Sequence, residues 1–150
     1  MTTARPKIYE YDVDIKWTEN RKGVLSADGK PNIQYATPPE FSGHPGYWSP
    51  EDLFVAAVES CLMSTFLSVI DKQGLKIISY QSKATGYLTT VDDVFRFSEV
   101  KILPRIVISP DVDSAKISEA VALAEERCLV ANSLITKVTT APLIEVQKQI

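Results

Sequence analysis

The sequence predicts an α+β fold, built as a single domain from all 150 residues. Three observations carry that prediction. Apolar and polar residues alternate from Lys7 to Trp17, an apolar helical segment is opened by Ser49 and closed by Gly74, and two β-rich runs between Leu75 and Ile108 precede a second helical pattern. With 45% hydrophobic and 23% charged residues the composition is that of an ordinary globular protein. A chain of this length buries roughly two thirds of its unfolded surface, so no disulfide or metal is needed for a core.

In the first run Tyr9, Tyr11, Val13, Ile15 and Trp17 alternate with Glu10, Asp12, Asp14 and Lys16, which predicts a strand with one buried face. The Gly- and Pro-rich stretch from Asn20 to Gly46 reads as two short strands, around Val24 and over 33–36, followed by a loop. The long helix should then run from Pro50 to Gln73. Ser49 is its N-cap, Pro50 fits the first helical position, and Glu51 and Asp52 complement the dipole. Asp52, three residues after Ser49, imitates a capping box. Apolar residues surround most of this helix, as expected for one buried in a core or an assembly. Ala56, Ser60, Ser64 and Ser68 form a stripe of small residues, and Ala57, Cys61 and Thr65 form the next one, so a second helix could approach closely beside Cys61.

Asp92 and Asp93 suit a turn between the two β-rich runs, and Pro104 is expected at a bulge or an edge. From Asp113 to Arg127 the residues Ile117, Ala120, Val121, Ala124 and Cys128 recur at helical spacing. Leu129 to Ile135 suits a short helix, and Val138 to Val146 a strand interrupted by Pro142.

Several function classes drop out. No eighteen consecutive residues are all apolar, so no membrane span is expected. The N-terminal MTTARPKIYE lacks the apolar core of a signal peptide, which points to a reducing cytoplasm and free thiols. A net charge of -3 with scattered basic residues leaves no footprint for nucleic acid. The lone histidine, His44, has no G-x-S-x-G elbow to serve, and the two cysteines are not spaced as zinc ligands. No metal or cofactor is expected.

The remaining chemistry belongs to Cys61 and Cys128. Only a thiolate attacks, so a reactive cysteine needs electropositive surroundings. Cys61 lies about three turns into its helix, beyond the reach of the N-terminal dipole, and its cation must come from elsewhere. Arg21, in a loop after the first strand, is one of five arginine candidates, with Arg5, Arg96, Arg105 and Arg127. Cys128, near a helix C-terminus, is the poorer nucleophile. If Cys61 is oxidised to a sulfenic acid, Cys128 is the only thiol in the chain able to condense with it. Against this stands the plain alternative that both cysteines are small hydrophobes of the core. Glu51 has its own plain reading as a first-turn helix stabiliser. Phe41, Tyr47, Trp48 and Phe54 either wall an apolar pocket near the helix start or belong to the core.

SPEDLFVAAVESC from Ser49 to Cys61, with TPPEFSG from Thr37 to Gly43 and ERCLVANSL around Cys128, resembles the OsmC/Ohr family, the osmotically inducible and organic hydroperoxide resistance proteins. The resemblance spans nearly the whole chain. It implies antiparallel sheets around a long central helix, an intertwined homodimer, and a thiol peroxidase that reduces organic hydroperoxides and is regenerated by a dithiol reductant, of lipoyl type or another small dithiol. By the same resemblance Cys61 is the peroxidatic cysteine, Cys128 the resolving one that closes a disulfide with it, and Glu51 and Arg21 are the family's glutamate and arginine. Phe41, Tyr47, Trp48 and Phe54 would then receive an apolar substrate tail. Leu129 departs from the family, which commonly has proline after the resolving cysteine. A non-catalytic stress or ligand-binding protein on the same scaffold is the alternative.

Glu51 and Cys61 are ten residues apart, hence about 15 Å along a straight helix. A glutamate, arginine and thiolate acting together therefore require a loop that crosses this gap or a glutamate from a second subunit.

Overall fold

Residues 3–149 are described by a computed structural model, in which contacts divide the chain between Asp52 and Leu53 into two units. The first unit holds a three-stranded antiparallel sheet of β1 (Asp14–Glu19), β2 (Lys22–Ser26) and β3 (Ile33–Ala36), in that order. A single 3-10 turn, Pro39–Phe41, follows. The expected strand over Lys7 to Trp17 is corrected here: it begins only at Asp14, and all six of its residues are exposed. Ile15 is 64% and Trp17 72% exposed, as are Tyr9, Tyr11 and Val13 before them at 67%, 87% and 66%. Alternation tells which residues share a face. It does not supply a cover for that face.

Helix α1 (Pro50–Lys72) opens with a reciprocal cap. The Asp52 N–H donates to Ser49 Oγ at 3.0 Å, while Asp52 Oδ2 accepts from the Ser49 N–H and hydroxyl, each at 2.9 Å. Aspartate thus closes a box usually closed by glutamate. At the other end Gly74 takes a φ of +68°. The Leu75 N–H reaches the Ile70 carbonyl at 2.9 Å and the Gly74 N–H reaches Asp71 at 3.1 Å, the two bonds of a Schellman ending. By length and composition α1 is apolar enough to cross a membrane, as the core helix of a soluble protein can also be. Its inner face, Val58, Leu62, Phe66, Val69 and Ile70, is nevertheless buried in a protein core.

That core belongs to the second unit. The hairpin of β4 (Ser79–Val91) and β5 (Val94–Ile108) turns through Asp92 and Asp93, both at positive φ, the conformation of a two-residue I′ turn. Helix α2 (Ser114–Arg127), capped by Asp113 Oδ1 accepting from the Ala115 N–H at 2.9 Å, buries Ile117, Ala120, Val121 and Ala124. These meet Val100, Ile102, Ile106 and Ile108 of β5 and the inner face of α1. Gly86 of β4 permits the approach of α1, since a Cβ there would lie 2.6 Å from a Val55 methyl and 2.8 Å from the Phe97 ring. After the short helix α3 (Leu129–Asn132), β6 (Lys137–Thr140) and β7 (Leu143–Val146) pair with β5 in parallel, making this sheet mixed rather than purely antiparallel.

Pro104 is neither at an edge nor in a bulge. It pairs with Ser82 in a strand bonded on both sides. Its position coincides with the break between β6, which pairs up to Ile102, and β7, which pairs from Arg105. The sheet is interrupted there, so the absent N–H leaves no gap in a continuous ladder. The bulge lies elsewhere, at Ser98, between the pairs Tyr87–Glu99 and Leu88–Phe97.

Candidate active site

The two cysteines meet inside the second unit. Helix α1 carries Cys61 one position before the buried Leu62, so its thiol is half-buried at the border of the core face. Cys128 is 1% exposed and occupies the junction of α2 and α3. Its φ of −63° and ψ of 112° are extended rather than helical, which ends α2 and lets α3 set off in a new direction. Two bonds stitch this corner: the Asn132 N–H to the Cys128 carbonyl at 2.9 Å and the Asn132 side-chain amide to the Glu126 carbonyl at 3.0 Å. Leu129, where the resemblance anticipated proline, is simply the first residue of α3.

At this corner the thiols are made unequal. Burial pushes the Cys61 thiol up, but the Val130 N–H, the Cys128 thiol, the Thr65 hydroxyl and the Leu129 N–H together bring it below the ordinary thiol value. Burial also pushes Cys128 up, and there it prevails: the neighbouring Cys61 adds to the rise, and the N–H groups of Ala131 and Val130 do not reverse it. Cys61 is thus the better thiolate, with Cys128 held as a thiol beside it. Thr65, one turn beyond Cys61, also donates its hydroxyl to the Cys61 carbonyl at 2.8 Å.

The cation expected for Cys61 is not among the groups that lower its thiol, which are the main-chain N–H groups of Val130 and Leu129, the Cys128 thiol and the Thr65 hydroxyl. Val130, Leu129 and Cys128 come from residues far along the chain, and no local signal around Cys61 announces them.

The other candidates lie in or beside the first unit. Arg21, between β1 and β2, donates from Nη1 to the Phe41 carbonyl at 3.0 Å. Glu51, in the first turn of α1, has an Oε2 shut away from solvent that finds no hydrogen-bond donor among the described residues. Tyr47 and Trp48 are exposed, and with Asn32, Ile33, Gln34 and Gly46 they line an open depression of about 530 Å³. The Lys22 ammonium stands 5.1 Å from the centre of the Tyr47 ring. Phe54 belongs to the second unit, where its ring stacks on Phe97 at 4.6 Å and packs against the core.

Fold and cysteine geometry together define an α+β protein with a dithiol at the meeting of a core helix and a helix corner. The profile of the OsmC-like protein family matches residues 43–141, and the chain belongs to that family. A solved OsmC-like protein of unknown function from Vibrio cholerae is 26% identical and superposes with a TM-score of 0.84 over 91% of this chain and all of that one. An organic hydroperoxide resistance protein OsmC from Legionella pneumophila, also described as a predicted redox protein, shares the fold with a TM-score of 0.72 at 22% identity, covering 94% of this chain and 100% of its own. The uncharacterized protein YmaD of Bacillus subtilis is 22% identical over 126 residues, 83% of this chain and 81% of that protein.

Proposed function

We propose that the protein is a thiol-dependent peroxidase that reduces organic hydroperoxides to alcohols. The observation that carries this reading is the contact between Cys61 and Cys128, with the first thiol shifted towards ionisation and the second away from it. Family membership and relatives named for hydroperoxide resistance add support.

In the proposed cycle the Cys61 thiolate attacks the distal oxygen of the hydroperoxide. The O–O bond breaks, the alkoxide takes up a proton and leaves as the alcohol, and Cys61 becomes a sulfenic acid. Cys128 then attacks the oxidised sulfur, giving up its proton while hydroxide departs, so that water and a Cys61–Cys128 disulfide result. An external dithiol reopens the bridge by exchange and is itself oxidised to a disulfide. Arg21 is assigned to polarise the O–O bond, and Glu51 to orient the guanidinium. The shielded, donorless Oε2 of Glu51 supports that role, because an enclosed carboxylate is costly without a cationic partner. Phe41, Tyr47, Trp48 and Phe54 are assigned to an apolar substrate tail.

The proposal includes a homodimer. The uncovered apolar residues of β1 support it, as does the outward stripe of α1, where Ala56, Ser60 and Met63 line an open depression of about 320 Å³.

Consumption of cumene hydroperoxide and of hydrogen peroxide, with a small dithiol as reductant, tests the activity. Turnover of the organic peroxide that is faster than that of hydrogen peroxide and lost in Cys61→Ser is the expected result. Turnover that survives Cys61→Ser contradicts it.

A further inference from the structure

The sheet of the second unit has two unlike faces. Val100, Ile102, Ile106 and Ile108 of β5 point into the core with α1 and α2, so the residues between them point the other way. On that outer face Lys83 of β4, Lys101 and Arg105 of β5 and Lys137 of β6 are exposed. Tyr87, Leu103 and Leu143 stand among them, 44%, 54% and 57% exposed. Strand register interleaves the two kinds: Lys83 is opposite Leu103, Arg105 is opposite Leu143, and the Lys101 ammonium lies 5.5 Å from the centre of the Tyr87 ring.

Two acids share the face. Glu145 is paired with Arg105 at 2.8 Å, and Glu99 accepts from the Thr139 hydroxyl at 3.1 Å. Lys83, Lys101 and Lys137 make no ion pair among the described residues. Between the Ser79–Val107 and Tyr87–Glu99 pairs the face thus carries four cations against two anions, on a chain whose net charge is -3. Charges more than about 8 Å away are largely screened at physiological ionic strength, so the sign of the face, rather than that of the whole chain, decides what it attracts.

We propose that this outer face docks on an anionic lipid surface, with the lysines at the headgroups and Tyr87, Leu103 and Leu143 entering the interface. The leucines set among the cations distinguish this partner from a bare polyanion, because they gain by leaving water for the headgroup boundary, which a phosphate backbone does not offer. Each Lys or Arg at a charged membrane adds only about fivefold in affinity, so the contact is peripheral and reversible. Cys61 and Cys128 belong to the helical side of the sheet, and docking does not touch them. For a peroxidase of organic hydroperoxides the membrane surface is where apolar peroxides collect.

Cosedimentation of the whole chain with vesicles tests the proposal. Vesicles of phosphatidylcholine alone are compared with vesicles that contain phosphatidylglycerol in equal part. Binding to the mixed vesicles only, weakened by added salt, is expected. These two comparisons use the unmodified chain and need no variant to fold. Lys83→Glu combined with Lys101→Glu should weaken binding by at least about tenfold. Lys72→Glu combined with Lys116→Glu, at exposed positions of α1 and α2, changes the net charge equally and should weaken it by less than about twofold. Absence of binding to the mixed vesicles overturns the proposal, as does an equal loss in the two double variants. A shift of the sheet-face variant towards monomer in sedimentation equilibrium would give the face to a second copy of the chain. Binding of a single-stranded oligonucleotide by a protein that ignores the vesicles would give it to nucleic acid, and either result overturns the proposal. No peroxide is used, so vesicle binding without hydroperoxide turnover would refute the peroxidase reading and leave the docking face standing.

Discussion

Cys61 and Cys128 carry the same thiol, and their surroundings drive them in opposite directions. For Cys61 the sign follows from the charged form: donors that favour the thiolate lower its value, so its alkylation rises with pH and levels off before that of an ordinary thiol. The same shift favours the folded state at pH above the ordinary thiol value, and that contribution is lost as pH falls through the lowered one. Cys128, shifted upward, contributes stability below the ordinary value and loses it as pH rises through its own. Two outcomes are expected of Cys128→Ala. Alkylation of Cys61 at neutral pH slows by roughly threefold to tenfold, since one donor is removed. After one equivalent of cumene hydroperoxide, Cys61 persists as a sulfenic acid that dimedone traps. Unchanged alkylation would mean that Cys128 does not assist the thiolate. At this scale the identity of the chemistry was legible in the sequence, because only two thiols exist. The source of activation was not, since the Leu129 and Val130 donors reach Cys61 only through the fold.

Elements were read most accurately where their signals are local. Ser49, Asp52 and Gly74 delimit α1 through bonds spanning three to five residues, and Asp92 and Asp93 form their turn by themselves. Ser49→Ala removes the N-cap acceptor and is expected to cost about 1 kcal/mol in urea unfolding. Gly86→Ala forces a methyl into the space held by Val55 and Phe97, with an expected cost of about 1–3 kcal/mol by the same measurement. A neutral Gly86→Ala would show that α1 does not press on β4 there. Where an element depends on its neighbours the sequence was less informative. Pro104 looked like an edge residue because the break between β6 and β7 is created by residues some forty positions later, around Pro142.

For the molecule as a whole, fold class and family follow from pattern and motif alike, and the superposition with OsmC-like structures agrees. The cover for β1 did not follow. Its apolar residues alternate as a buried face would, yet Ile15 and Trp17 are largely exposed. In a proposed dimer they have surface to lose, and Trp17→Lys is expected to shift sedimentation equilibrium towards monomer by tenfold or more in dissociation constant. An unchanged equilibrium would remove this face from the interface. The central claim concerns the reaction itself, and peptide mass spectrometry after one equivalent of cumene hydroperoxide tests it most directly. The account predicts a Cys61–Cys128 disulfide formed within each chain. Recovery of both cysteines as free thiols, with the hydroperoxide unconsumed, would contradict it.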